Sequence, residues 1–125
     1  MGEKIKLVLD KLEIYAELND TIEARQFAHL LPLDIALSRW GDEYYGSCQL
    51  KQALGKDTRE QMEIGELAFW PPGNAFCIFF GRTPASTDDK PRAASSVNPL
   101  GKLHGDTNRL KNLGNTVKAK ISVAE

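Results

Sequence analysis

The apolar run at residues 75–80, A-F-C-I-F-F, constrains the fold more than any other part of the chain. Hardly any polar character interrupts it, so a strand formed here must be buried on both faces or line a cavity. The preceding Pro71-Pro72-Gly73-Asn74 favours a tight turn, because proline lacks an amide donor and Gly and Asn tolerate turn geometry. We therefore predict a strand over Glu66–Trp70, a turn, and a central strand over residues 75–80.

The composition is that of an ordinary soluble globular protein, with 42% hydrophobic and 26% charged residues. The 125 residues fit one domain, which we assign to residues 1–125. A net charge of −1 provides no general attraction to nucleic acid or anionic membrane. No apolar run approaches the roughly 20 residues that span a bilayer. Without a signal-peptide pattern, and with two cysteines too few for a disulfide framework, we expect a cytoplasmic protein with reduced thiols.

Further short segments alternate apolar and polar residues, which is typical of strands with one buried face. Asp10-Lys11 separates the first two segments and predicts a two-residue hairpin. The polar stretches 51–60 and 82–96 are predicted loops, and a loop as long as the second is more often functional than decorative. The predicted strands in this group are Lys4–Leu9, Leu12–Leu18, Leu33–Arg39, residues 43–50, residues 97–103 and Thr116–Val123.

Two helices are predicted between these strands. Asp20 has the side chain of an N-cap, with Glu23 at the capping-box position, and Pro32 ends the first helix. The second helix begins after Asp106 and extends through Leu113. The apolar stripe predicted for the first helix consists of Ile22, Phe27, Leu30 and Leu31.

About eight short strands and two helices, with no alternation of strands and helices, indicate a closed antiparallel barrel or a sandwich. Two amphipathic helices could cover the open ends of a barrel. We therefore predict a mainly β fold, a closed antiparallel barrel with two capping helices.

The segment R-W-G-D-E-Y-Y, residues 39–45, is the first candidate site. One interpretation is a hairpin with Trp40 in the core and its charges in water. The other is a pocket rim, where aromatic walls bind a flat or apolar group and Arg39 or Glu43 orients it. A second aromatic cluster lies within residues 69–80, and the two clusters form one cleft if they face the same side of a barrel.

Other chemistries have little support in the sequence. His29 and His104 have no partner at a metal-ligand spacing, and neither a phosphate-binding loop nor a nucleophile elbow occurs. We expect no metal and no cofactor.

Three segments together resemble a known family. They are W-G-D-E-Y-Y (40–45), E-I-G-E-L-A-F-W-P-P-G-N-A-F-C-I-F-F-G-R-T-P (63–84) and S-V-N-P-L-G-K-L (96–103). The chain resembles a family of small prokaryotic proteins that have a cyclophilin-like fold and no settled function. The resemblance implies a closed eight-stranded barrel capped by two helices, in agreement with the count of elements above.

Cyclophilins are peptidyl-prolyl isomerases, so the resemblance also implies a catalytic arrangement. It places Arg39 as donor to the prolyl nitrogen, with Tyr44, Phe76 and Phe79 around the proline ring. The chain departs from cyclophilins in two ways. The Gln that follows the aromatic residue in cyclophilins has no clear counterpart, and the bulky Trp70 lies near a small residue of their pocket.

These departures favour a non-catalytic module that binds a small molecule or a proline-containing peptide. A weak isomerase that uses Arg39 is the alternative, and self-association through an exposed edge or the 82–96 loop is a third possibility. We expect a monomer or a homodimer with no nucleic-acid or membrane partner. The predicted binding residues are Trp40, Glu43, Tyr44, Tyr45, Trp70, Asn74, Phe76 and Phe79.

Overall fold

The computed structural model describes residues 2–124, and within them nine strands form a mainly β structure. One α-helix, α1, spans Ile22–His29, and 3-10 helices span Pro71–Gly73 and Thr107–Asn112. The strands are β1 (Lys4–Leu9), β2 (Leu12–Leu18), β3 (Leu33–Arg39), β4 (Glu43–Ser47), β5 (Arg59–Gln61), β6 (Glu66–Trp70), β7 (Ala75–Phe79), β8 (Arg92–His104) and β9 (Thr116–Val123).

Eight of these strands form a closed ring. Their order is β2-β1-β9-β3-β4-β7-β6-β8, and β8 pairs back with β2 to close it. Every pairing is antiparallel, and β5 adds to β8 outside the ring. The predicted closed, eight-stranded antiparallel barrel is confirmed.

Strand β7 is buried on both faces, as its apolar sequence predicts. All five of its residues are buried. Phe76 and Ile78 belong to the main core inside the ring, whereas Cys77 and Phe79 belong to a smaller apolar cluster on the outer face. Because successive side chains of a strand point to opposite faces, β7 contributes to two separate cores.

Two helices close the ends of the ring. The fully buried Phe27 of α1 stacks on Phe76, with 5.1 Å between ring centroids. Leu110 of the helix Thr107–Asn112 is fully buried in the same core. Arg39, the last residue of β3, donates a hydrogen bond to the Lys111 carbonyl of this helix. The prediction of two capping helices is confirmed. Among residues 2–124, no helix is long and apolar enough to cross a membrane.

The predicted N-cap of α1 is wrong by one residue. Thr21 is the cap, and its hydroxyl accepts a hydrogen bond from the Ala24 amide at 3.1 Å. The Asp20 carboxylate instead accepts from the Arg25 guanidinium at 2.6 Å. With the cap at Thr21, the third helical position is Ala24, so Glu23 is not placed for a capping box.

The predicted apolar stripe of α1 is wrong at its first residue. Ile22 is 66% exposed, whereas Ala24 and Phe27 are buried. Ala24 and Phe27 are three residues apart and share one helix face, whereas Ile22 precedes Ala24 by two and points away from it. Leu30 and Leu31 pack against the core as predicted.

The predicted loop over residues 82–96 is too long, because β8 begins at Arg92. The first half of β8 pairs with β5, through Gln61 opposite Arg92 and Arg59 opposite Val97. Strand β5 overlaps the end of the other predicted loop, residues 51–60. The two segments predicted as loops therefore form strands by pairing with each other. Strand β4 also ends earlier than predicted, at Ser47.

Candidate functional site

A cavity of about 280 Å3 lies on the outer face of the ring, over β4, β6, β7 and the beginning of β8. We call it the outer-face cavity. It is near the lower end of the roughly 300–1,000 Å3 typical of ligand pockets. The residues that line it are Trp40, Glu43, Tyr45, Trp70, Cys77, Ala93, Ala94 and Val97.

The alternation of β4 and β7 determines which side chains reach the cavity. Glu43 and Tyr45 point outward from β4, whereas Tyr44 between them points into the ring. Tyr45 lies opposite Cys77 on β7, and Cys77 lies opposite Ala68 on β6. These small residues leave space on the outer face, and Ala93 and Val97 of β8 border it.

Trp70 forms one wall, and two contacts hold its ring. The indole Nε1–H donates to the Ser95 hydroxyl at 2.7 Å. Gly73 packs close to the indole, and a Cβ added at this glycine would lie only 2.9 Å from the ring. Trp70 therefore lines the cavity in a fixed orientation. Trp40, in the turn that precedes β4, lines another side.

Glu43 is the acidic group of the cavity. The residue is 5% exposed, and its Oε1 has no hydrogen-bond partner among the described residues. Burial raises the pKa of Glu43 to about 8, and the neighbouring Cys77 thiol opposes part of that rise. The carboxyl is therefore mostly protonated at neutral pH and has unused hydrogen-bonding capacity.

Cys77 is 1% exposed. Burial, with Glu43 as the next cause, raises the pKa of the Cys77 thiol well above its ordinary value. A thiol without thiolate character is a poor nucleophile, so this pair does not form an activated cysteine site. Among residues 2–124, no group of three or more His, Cys, Asp or Glu is arranged to hold a metal ion.

Arg39 lies away from the cavity and is engaged in structural contacts. Its Nη1 donates to the carbonyls of Lys111 and Leu113 at 3.1 and 3.0 Å. Its Nη2 donates to Asp42 Oδ1 and its Nε to the Gly41 carbonyl, both at 2.8 Å. A guanidinium has five N–H donors, so these four hydrogen bonds occupy most of its capacity.

Tyr44 extends the same structural cluster inside the ring. Its hydroxyl donates to the Gly114 carbonyl at 2.5 Å, and its ring stacks on Phe80 with 5.3 Å between centroids. The Arg39 guanidinium lies 5.1 Å from the Phe80 ring centroid and 5.8 Å from that of Tyr44. Burial raises the pKa of the Tyr44 phenol, while the charge of Arg39 opposes the rise.

The structure divides the predicted binding residues into two groups. Trp40, Glu43, Tyr45 and Trp70 line the outer-face cavity together. The others lie elsewhere. Arg39 and Tyr44 hold one end of the ring, and Phe76 stacks inside it. Phe79 is fully buried in the outer-face cluster without lining the cavity, and Asn74 forms the left-handed end of the turn before β7.

Four residues of β8 were not among the predicted site residues: Ala93, Ala94 and Val97, which border the cavity, and Ser95, which holds Trp70. All but Val97 fell within the predicted 82–96 loop. The Ala-Ala pair in an otherwise polar stretch was the available signal. Cys77 could have been found by extending the alternation of β4 to the strand that pairs with it.

A second concavity, of about 340 Å3, lies beside α1. Asp20 and Arg25 line it, and they already form an exposed ion pair with each other. The outer-face cavity is the better candidate site because it combines large rings with a buried polar group that has an unpaired atom.

The closed eight-stranded ring with two capping helices defines the class as a cyclophilin-like fold. The chain belongs to the cyclophilin-like family, whose sequence model matches residues 3–122. It is similar to the solution structure of the hypothetical protein AF2241 from Archaeoglobus fulgidus, at 32% identity and a TM-score of 0.79. That match covers 98% of this chain and 95% of the other. No curated protein matches the sequence. The resemblance to a cyclophilin-like family of uncharacterised function is confirmed.

Proposed function

We propose that the protein is a non-catalytic binding module that holds a small molecule, or a short peptide segment, in the outer-face cavity. The observation that carries the proposal is one cavity with three large rings, from Trp40, Tyr45 and Trp70, and the buried, unpaired carboxyl of Glu43. Rings supply apolar contact area at low entropic cost, and a single buried polar group fixes the orientation of a ligand.

The small residues that border the cavity also support binding. Cys77, Ala93 and Val97 are almost fully buried, yet space remains above them. The cavity leaves apolar surface uncovered, so larger side chains here would bury that surface and stabilise the free protein. A cavity kept open by small side chains and surrounded by rings is consistent with a site that a ligand fills.

The contacts of Arg39 favour binding over the alternative, a weak peptidyl-prolyl isomerase. An isomerase needs a free donor that weakens the resonance of the X-Pro amide. Arg39 already donates to three backbone carbonyls and to Asp42. Phe76, the expected wall of a proline pocket, is stacked on Phe27 inside the ring. Isomerisation through these groups would require those contacts to break.

Tryptophan fluorescence provides a direct test, because both tryptophans of the chain line the cavity. The probes are benzyl alcohol, benzylamine, choline and an Ala-Ala-Pro-Phe p-nitroanilide peptide. At least one should change the emission saturably. Tyr45→Ala should weaken that response, whereas the control Tyr15→Ala, which removes a comparably exposed tyrosine on β2, should leave it unchanged.

The same peptide tests the isomerase alternative. For a non-catalytic module, the isomerisation rate with wild-type protein equals the rate in buffer and the rate with Arg39→Ala. A wild-type rate above both would overturn the non-catalytic assignment. Failure of every probe to change the emission would overturn the binding assignment.

A further inference from the structure

The outer-face cavity carries a potential negative charge without a positive partner. Among the described residues that line it, Glu43 is the acidic one and none is Lys, Arg or His. Arg39, which does not line the cavity, is paired with Asp42, the residue before Glu43, at 2.8 Å. Glu43 Oε1 therefore remains buried and unpaired.

We propose that the ligand of this cavity is a small organic cation, a primary or methylated ammonium group held among Trp40, Tyr45 and Trp70 with its charge against Glu43. The inference rests on the proposed binding function. Ring faces carry negative electrostatic potential, and they attract cations most strongly where water is excluded. The buried carboxyl supplies the counter-charge that the rings lack.

Other ligand charges fit the cavity less well. An anion would meet the ring faces, which repel it, and would also be repelled by Glu43 whenever that carboxyl is ionised. A neutral apolar ligand would leave Glu43 Oε1 buried without a partner, which is costly for any polar group. A cation is attracted both by the ring faces and by the ionised Glu43 carboxylate.

Cation binding should be linked to loss of a proton from Glu43. The carboxyl must ionise to pair with the ligand, and in the free protein its pKa is about 8. The titratable group that faces it from β7 is Cys77, whose thiol remains protonated because its own pKa is raised. On its own strand the exposed Tyr45 phenol lies two residues away, and β6 and β8 contribute Trp70 and alanine or valine side chains. Affinity should therefore rise by up to tenfold per pH unit from pH 6 to 8 and then level off.

The sharpest experiment compares choline with its uncharged carbon isostere, 3,3-dimethylbutan-1-ol, by tryptophan fluorescence at pH 8. Choline should bind the wild-type protein at least about tenfold more tightly. Benzylamine and benzyl alcohol form a second matched pair for a primary ammonium group. Nα-acetyl-trimethyllysine amide distinguishes a protein side chain from a free small cation, because tighter binding than choline would identify the side chain as the source.

Glu43→Gln is the matched variant, because it keeps the shape of the side chain and removes its charge. It should reduce the preference for choline to less than about threefold while the neutral isostere still binds. Calorimetry on the wild-type protein in two buffers at pH 7 should show proton release on choline binding, independently of any variant.

The outcomes separate the two proposals. Equal binding of choline and its isostere, or choline affinity that does not change between pH 6 and 8, would overturn the cation assignment and leave the binding module standing. Absence of binding by every charged and neutral probe would remove both.

Discussion

The interior of the ring and the outer-face cavity are built from the same strands in opposite ways. Tyr44 of β4 and Phe76 of β7 point inward, where rings stack in pairs and fill the space. Their neighbours Tyr45 and Cys77 point outward, where space remains open. Strand alternation therefore separates a packed, stabilising side from a side with an open cavity.

This difference changes where function should be sought in this chain. A resemblance to cyclophilins directs attention to Arg39, Tyr44 and Phe76, and here these residues hold the ring together. Trp40 and Trp70 do line one cavity, as the hypothesis of one cleft required. That cavity lies beside the barrel, over the outer face of β4 and β7.

The largest effect should come from Phe76→Ala. Removal of a fully buried ring that stacks on Phe27 should destabilise the protein by about 3–5 kcal/mol, because contacts are lost and a cavity remains. Urea unfolding measures the change. Tyr45→Ala, on the outer side, should cost less than about 1 kcal/mol because its side chain is 40% exposed. Similar losses for both variants would contradict the division between a packing side and a binding side.

The next effect concerns the pH dependence of stability. The pKa of Glu43 is about 8 in the folded protein, against an ordinary value of 4.5. The folded state therefore binds this proton more tightly than the unfolded state, so the contribution of Glu43 to stability is greatest below pH 4.5. It should fall by roughly 1 kcal/mol per pH unit as the pH rises toward 8.

Glu43→Gln should remove this loss, because the amide remains neutral throughout. Urea unfolding should show that the free energy of unfolding of the variant, relative to that of the wild-type protein, is higher at pH 8 than at pH 5. Glu13→Gln, which changes an exposed carboxylate of β2, should follow the wild-type profile. A wild-type profile that is parallel to that of Glu43→Gln would mean that the carboxyl is not buried in the way described.

The strands of the ring could be predicted where local pattern determines them. Five of them, including Leu33–Arg39 and Thr116–Val123, match the predicted bounds because alternation and turn residues are properties of the segment itself. Strand β5, R-E-Q, has no such pattern and exists through its pairing with β8. Asp20 and Thr21 are both suitable caps, and local sequence does not distinguish them.

The sequence predicted several residues of the candidate site but not how their side chains are arranged. Trp40, Glu43 and Tyr45 were found because rings and charges cluster within a few residues. Arg39 donates hydrogen bonds to the carbonyls of Lys111 and Leu113, which lie more than 70 residues further along the chain. The local sequence around Arg39 could not predict these contacts. The direction of Tyr44 relative to Tyr45 required the register of β4 against β7.

Arg39→Ala should test the structural role assigned to that residue. Loss of its hydrogen bonds to Asp42 and to the carbonyls of Lys111 and Leu113 should cost about 2 kcal/mol, because hydrogen bonds with charged groups are the stronger ones. Hydrogen exchange at the Leu113 amide should accelerate. Arg39→Lys should not restore stability, because an ammonium lacks the planar fork.

Arg25→Ala is the control for that variant, because Arg25 forms an exposed ion pair with Asp20. It should change stability by less than about 0.5 kcal/mol. Ligand binding in the outer-face cavity should survive Arg39→Ala. If binding disappeared while the fold remained intact, Arg39 would belong to the binding site rather than to the frame around it.

The smallest effect concerns the wall formed by Trp70. Trp70→Phe and Ser95→Ala each remove the indole–hydroxyl hydrogen bond, and each should cost about 1 kcal/mol in urea unfolding. The double variant should cost little more than either single change, because both remove the same interaction. Ser95→Ala should also weaken ligand binding although Ser95 does not line the cavity, since a freed indole loses its fixed orientation. Strictly additive costs would show that Gly73 and strand packing alone hold the ring.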